Sequence, residues 1–228
     1  MDQQKAWKVR EEVCETAKKM SNTGLTAGTW GNISGRIDEE YMVVTPSGMN
    51  YEKMTPDQMA IVNMETLEWV GPHKPSIEVP LHRKIYLSRP EIGGIVHTHS
   101  QAALTVACAR KEIPAISEDQ VQILGGSIRC SAYVKAGSQE LADSVEKALE
   151  GRMGALMANH GAVALGRNVD EALTAAVLVE KTARIYLDVQ AIGGAVRIPE
   201  EDCAYYHKFF LERYRRLDDD RAGKGGRK

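Results

Sequence analysis

The 228-residue chain has no apolar run long and charge-free enough to cross a bilayer, and its polar opening, Met1-Asp2-Gln3-Gln4-Lys5, contains no apolar signal core. Together these absences lead us to expect a cytoplasmic protein. The four cysteines, Cys14, Cys108, Cys130 and Cys203, form no Cys-x-x-Cys pair, so a zinc ribbon is excluded and reduced, mostly structural thiols are expected. An excess of one charge is also missing. At a formal net charge of −2, with acids and bases interspersed, neither a nucleic-acid stripe nor a membrane-binding face is expected, which favours a small soluble partner. No Pro/Gly/Ser-rich linker or internal repeat divides the chain, so one domain over residues 1–220 is expected, with 221–228 as a flexible basic tail. There is no P-loop and no Gly-x-Gly-x-x-Gly, so no nucleotide cofactor is implied. The lack of His-Glu-x-x-His removes the helical zinc-protease site.

What is present reads as helices over an antiparallel or mixed sheet. Ala6, Val9, Val13, Ala17 and Met20 recur at helical spacing, and the Ser21-Asn22-Thr23-Gly24 stretch ends that helix. Two short β segments, 32–37 and 41–45, form a hairpin through Asp38-Glu39-Glu40. Further helices are expected at 77–87, 101–110, 138–150, 170–191 and 199–214, and strands at 127–134 and 155–158. Pro80 fits the first turns of its helix, where a missing amide donor costs little. Strict βαβ alternation is absent.

The most informative stretch is Ile92-Gly93-Gly94-Ile95-Val96-His97-Thr98-His99. In a strand, side chains alternate faces, so His97 and His99 project from one face with Cα atoms about 6–7 Å apart and can converge on one ion. His160, where the apolar 155–158 strand runs into Asn159-His160-Gly161, supplies a third imidazole. Three protein nitrogens with open positions describe a catalytic rather than a structural zinc site. His73, His82 and His207 sit among charged or loop residues without partner spacing and read as solvated or helix-surface groups.

Glu78 opens the 77–87 helix. Its carboxylate suits either the helix dipole or a metal site, as a ligand when no substrate is bound and a general base when substrate displaces it. Ser76, two residues earlier, offers a hydroxyl and a helix N-terminal amide suited to phosphate. The loops Gly28-Thr29-Trp30-Gly31-Asn32-Ile33-Ser34 and Thr45-Pro46-Ser47-Gly48 combine glycines with side-chain donors, as anion cradles do.

Taken in order with Pro75-Ser76-Ile77-Glu78, His97-Thr98-His99 and Asn159-His160-Gly161, these loops span nearly the whole chain, which resembles the class II aldolase/adducin family, in its sugar-phosphate aldolase branch. The resemblance implies a three-layer α/β/α fold around a largely antiparallel sheet. It also implies a homotetramer with active sites between subunits, and one zinc ion per subunit on His97, His99 and His160, with manganese or cobalt as alternatives. Glu78 would be the zinc-linked base, and Gly31, Asn32, Ser47, Gly48 and Ser76 would hold the substrate phosphate. The implied activity is reversible cleavage of a ketose 1-phosphate to dihydroxyacetone phosphate and an aldehyde. A pentulose-phosphate 4-epimerase and a sugar-acid phosphate decarboxylase or dehydratase are the family alternatives, and a non-catalytic scaffold has no need for the four site residues together.

Two departures stand out. Ile77 replaces a serine that the branch offers to phosphate. Near Ser117-Glu118-Asp119-Gln120 the branch has a proton-donating tyrosine, whereas this chain has two carboxylates. Glu118 or Asp119 can serve as the acid if an interface raises its pKa; Tyr205, Tyr206 and Tyr214 are candidates for a second tyrosine that closes over the site.

Overall fold

A computed structural model describes residues 1–214; the expected tail at 221–228 lies outside the described residues. In chain order the elements are α1 (Gln3–Asn22), β1 (Asn32–Arg36), β2 (Tyr41–Val44), β3 (Ala60–Asn63), β4 (Trp69–Val70), α2 (Val79–Ser88), β5 (Gly94–Thr98), α3 (Gln101–Cys108) and α4 (Glu118–Leu124). There follow α5 (Gln139–Ala148), β6 (Gly154–Met157), β7 (Gly161–Gly166), α6 (Val169–Val189) and α7 (Glu200–Phe209), the last extended by a π-turn over Phe210–Tyr214. The strands form one sheet of order β4-β3-β2-β1-β5-β7-β6, with every neighbouring pair antiparallel. Helices α2 and α5 pack together on one face and α1, α3 and α6 on the other, giving three layers.

The residues explain the elements. Asp2 caps α1 by accepting from the Gln4 and Lys5 amides, and the helix buries Ala6, Val9, Val13, Ala17 and Met20 against the sheet. The hairpin between β1 and β2 is closed by Asp38, whose carboxylate accepts from the Glu40 and Tyr41 amides. Strand β5 is buried along its whole length because it lies mid-sheet between β1 and β7, with helices on both faces.

Pairing of β1 with β5 sets Asn32 opposite His97 and Ser34 opposite Ile95. Residues directly opposite share a face, so Asn32, Ser34 and His97 all point to the side covered by α2. Asn32 and Ser34 are polar and buried there, and α2 supplies their partners.

The segment at 127–134 does not form the expected strand. It makes two ladder bonds to β6, from the Ser131 amide to the Leu156 carbonyl and from the Leu156 amide to the Arg129 carbonyl, both 2.8 Å. These form a single parallel bridge between Cys130 and Leu156, and on the far side the Ala132 amide donates to the Ser144 hydroxyl on α5 (2.9 Å). Strands β3, β4 and β7 and helix α4 complete the fold beyond the elements expected from periodicity.

Candidate active site

His97 is the penultimate residue of β5, His99 lies just beyond the strand's end, and His160 sits at the tip of the β6–β7 hairpin, where Met157 pairs with Gly161. Asn159 takes the left-handed conformation at that tip (φ 55°), which asparagine tolerates better than most residues. Its side-chain oxygen accepts from Arg110 and its amide donates to the Ala107 carbonyl, so the hairpin is tied to the end of α3. Gly161 lies against β5 so closely that a Cβ would sit 2.2 Å from the Thr98 carbonyl oxygen. Only glycine lets the His160 loop approach the strand that carries the other two histidines.

The start of α3 is fixed just beyond His99. Both oxygens of Glu180, from α6, accept from the Ala102 and Ala103 amides (2.9 and 2.8 Å), taking over the capping role that the Ser100 side chain does not perform.

The three imidazoles meet edge to face with ring centroids 4.8–5.0 Å apart, and their ligand atoms lie within 4.8 Å of one another. His97 Nδ1 is 2.9 Å from the Ala162 carbonyl oxygen, which can only accept. A neutral ring in this place carries its proton on Nδ1 and presents the Nε2 lone pair to the centre, 3.0 Å from His99 Nε2. Zinc–nitrogen bonds of about 2.0–2.1 Å in a tetrahedral shell separate ligand nitrogens by about 3.3 Å, so the donor set and its spacing fit a divalent ion. Burial, with His97 and His160 adding to it, drives the His99 pKa down to about 3, and burial lowers that of His160. Both rings are thus neutral, as ligands must be.

Glu78, at the N-cap of α2, is 3% exposed and completes the cluster. Its Oε2 accepts from Asn32 Nδ2 (2.8 Å) and lies 3.1 Å from His97 Nε2. Its Oε1 lies 3.3 Å from His160 Nε2 and has no hydrogen-bond partner. Burial pushes this carboxyl up, but His97, His160, the Asn32 amide and His82 together outweigh it and hold it below the usual carboxylate range.

Beside the histidines lies a cleft of about 220 Å³ whose wall includes Gly31, Asn32, Ser47, Gly48, Ser76, Glu78, His99 and His160. Two loops form its floor: the Ser47 amide donates to the Lys74 carbonyl and the Ser76 amide to the Thr45 carbonyl (3.0 and 3.1 Å). Gly31 has φ 80°, and a Cβ there would fall 2.5 Å from the His97 carbonyl oxygen, so this loop reaches β5 only as glycine. The structure thus brings the three histidines, Glu78 and the five expected phosphate residues to one place.

Glu118 and Asp119 are not among the residues lining this cleft; they stand in the first turn of α4. Asp119 is ion-paired with Lys181 and accepts from the Ser117 hydroxyl, and these partners outweigh burial to hold its pKa below the usual value. Glu118 instead meets the hydroxyl of Tyr206 on α7, which its charge pushes up.

A profile of the class II aldolase and adducin N-terminal domain matches residues 11–187. The chain belongs to that family. This class II aldolase, a lyase, is 37% identical over 204 residues to the 5-deoxy-D-ribulose 1-phosphate aldolase of Bacillus thuringiensis, covering 89% of this chain and 95% of that protein. It is 34% identical to the 5-methylthioribulose-1-phosphate/5-deoxyribulose-1-phosphate aldolase of Rhodospirillum rubrum, covering 85% and 87%. A solved L-fuculose 1-phosphate aldolase superposes with a TM-score of 0.85 at 32% identity, covering 90% of this chain and 96% of that one.

One expectation is overturned within this aldolase. His82 is neither solvated nor on the helix surface: it is fully buried, with Nε2 2.5 Å from Asn32 Oδ1 and Nδ1 2.6 Å from the Ser34 hydroxyl. The signal lay in the spacing. Glu78, His82 and Tyr86 recur every four residues, which places them on one face of α2, the face turned to β1. His207 is partly buried as well, with Nδ1 2.7 Å from the Gln122 carbonyl, and His73 is a half-exposed loop residue. Glu180 gave no sequence signal, since only the packing of α6 on α3 assigns it a role.

Proposed function

We propose that the chain is a zinc-dependent aldolase that reversibly cleaves a ketose 1-phosphate into dihydroxyacetone phosphate and an aldehyde. The observation that carries this reading is the unpartnered Oε1 of Glu78 at the mouth of the three-histidine cluster, next to the Ser47–Gly48 and Ser76 loops. His97, His99 and His160 would hold the ion. A divalent cation there would supply Lewis acidity toward the oxygen on which negative charge builds as the carbon–carbon bond breaks.

The chain's own residues do the rest. The Ser47 and Ser76 hydroxyls and the Gly31 and Gly48 amides grip the phosphate away from the reacting carbons, converting its binding energy into orientation. Asn32 holds Oε2 of Glu78, leaving Oε1 to return a proton to the carbon that loses its bond, or to remove that proton in the condensation direction. The proton of the hydroxyl that becomes the aldehyde needs a second group. We assign it to Glu118 of a neighbouring subunit in a homotetramer, since Asp119 is held ionised by Lys181. The names of the relatives from Bacillus thuringiensis and Rhodospirillum rubrum make a 5-deoxypentulose 1-phosphate the first substrate to try. Among the described residues no helix is long and apolar enough to cross a membrane, in keeping with the cytoplasmic location we propose.

A panel of ketose 1-phosphates, coupled to reductive detection of triose phosphate, tests the reading. Triose phosphate released in step with ketose loss is expected. Epimerised ketose without triose release would replace the aldolase with an epimerase.

A further inference from the structure

Behind Glu78 the protein buries a file of four more polar side chains, from β1 and α2, that touch neither the cleft nor the three histidines' ligand atoms except through Asn32. Tyr86, Ser34 and His82 are at most 1% exposed, and Asn32 5%. Successive contacts run Tyr86 hydroxyl to Ser34 hydroxyl (2.9 Å), Ser34 hydroxyl to His82 Nδ1 (2.6 Å), His82 Nε2 to Asn32 Oδ1 (2.5 Å) and Asn32 Nδ2 to Glu78 Oε2 (2.8 Å).

Chemistry fixes the direction of every bond. A carboxylate only accepts, so Asn32 donates through Nδ2 and must accept at Oδ1. His82 therefore carries its proton on Nε2. A neutral ring then accepts at Nδ1, so the Ser34 hydroxyl donates to it and receives in turn from the Tyr86 hydroxyl. Neutrality follows from burial, which drives the His82 pKa down to about 3 against the pull of Glu78. All four bonds thus donate toward the carboxylate, and polarised chains of this kind strengthen one another in a low-dielectric interior.

We propose that His82 is a positioning residue: it locks the Asn32 amide so that Nδ2 holds Glu78 Oε2, which leaves Oε1, beside His160, as the carboxylate oxygen without a donor. Without the Nε2–H donor the Asn32 amide keeps only the carboxylate to orient it, loses its second anchor at Oδ1 and is freer to turn away from Glu78. The cost would fall mainly on proton transfer, because His82 reaches the site only through Asn32 and touches none of Gly31, Ser47, Gly48 and Ser76. The inference rests on the aldolase reading for its kinetic consequence, whereas the direction of the bonds does not.

Two measurements separate these. In His82→Leu, kcat for ketose 1-phosphate cleavage is expected to fall about ten- to hundredfold, the usual effect of removing a partner behind a site residue, with KM changed less than about threefold and bound divalent metal as in the parent. His82→Gln, whose amide nitrogen reaches the place of Nε2, recovers most of that loss. If His82→Leu does not fold, Ser34→Ala removes the donor to Nδ1 and is expected to lower kcat about fivefold, the worth of one neutral hydrogen bond. Unchanged kcat in the folded variants, or a loss carried by KM or metal content, overturns the proposal. Independently, long-range proton–nitrogen correlation on the ¹⁵N-histidine-labelled parent protein is expected to show His82 neutral and protonated on Nε2. A ring protonated on Nδ1, or charged near neutral pH, overturns the donor chain whatever the reaction. Parent protein that shows the Nε2–H tautomer yet releases no triose phosphate upholds the aiming of Glu78 and defeats the aldolase reading instead.

Discussion

Asn32 Nδ2 donates to Glu78 Oε2 at 2.8 Å, and this one bond makes the two carboxylate oxygens unequal: Oε1, 3.3 Å from His160 Nε2, is left without a donor. A buried carboxylate oxygen with no partner costs stability, and an enzyme recovers that cost only if substrate completes the bond. Glu78→Gln keeps the shape but cannot take a proton, so kcat is expected to fall by about 10²–10⁴, the range for a general base, while metal content stays that of the parent. Steady-state cleavage assays with metal analysis on the same samples check this.

His160 is held by a hairpin tip rather than by the sheet, and removing it deletes one of three nitrogens without touching the β5 pair. We expect His160→Ala to be purified with less than stoichiometric divalent metal and to keep a folded core, because the ring, 17% exposed, lies at a hairpin tip outside the apolar core. Metal analysis beside a thermal melt decides the point. Full metal occupancy in this variant would remove His160 from the ligand set.

The two carboxylates at the start of α4 are expected to behave differently. Asp119→Asn loses an exposed ion pair with Lys181, of a kind worth about 0–1 kcal/mol, and should leave kcat within about twofold of the parent. Glu118→Gln should lower kcat by about 10² or more if this group handles the aldehyde-side proton. Equal effects of the two substitutions would contradict the assignment.

Acid should weaken the fold through His82. Its folded pKa, about 3, lies below the ordinary histidine value of about 6.5, so between these values the unfolded chain binds the extra proton. Stability from this group is complete above about pH 6.5 and is lost as pH falls toward 3, by up to about 1.4 kcal/mol per pH unit. His82→Gln cannot titrate, and urea unfolding from pH 7 to 5 should show a shallower decline for it than for the parent. Parallel declines would mean that His82 is not neutral in the folded protein.

The long helices, the hairpin at Asp38 and the histidine strand were legible in the sequence because each carries its own period or cap. The short strands β3 and β4 were not, since four and two residues give no measurable alternation and form only by pairing with β2 and with each other. The 127–134 segment alternates like a strand, yet it makes only isolated bridges, Ile128 to Ile113 and Cys130 to Leu156, and alternation in the sequence does not reveal how far a pairing runs. At the site, the three histidines and Glu78 were legible from spacing and residue type. His82 was misread because Arg83 and Lys84 beside it suggest solvent, whereas the four-residue rhythm from Glu78 to Tyr86 turns it inward. Asp119 looked equal to Glu118 until Lys181, 62 residues later, was placed against it.

The central claim is that Glu78 moves a proton at the carbon next to the ketone, and hydrogen exchange measures that step without the aldehyde half. Metal-loaded protein incubated with dihydroxyacetone phosphate in deuterium oxide should exchange one of the two hydrogens of the hydroxymethyl carbon, followed by proton NMR, and Glu78→Gln should exchange neither. No exchange by the parent protein, or exchange at the same rate by the variant, would contradict the account.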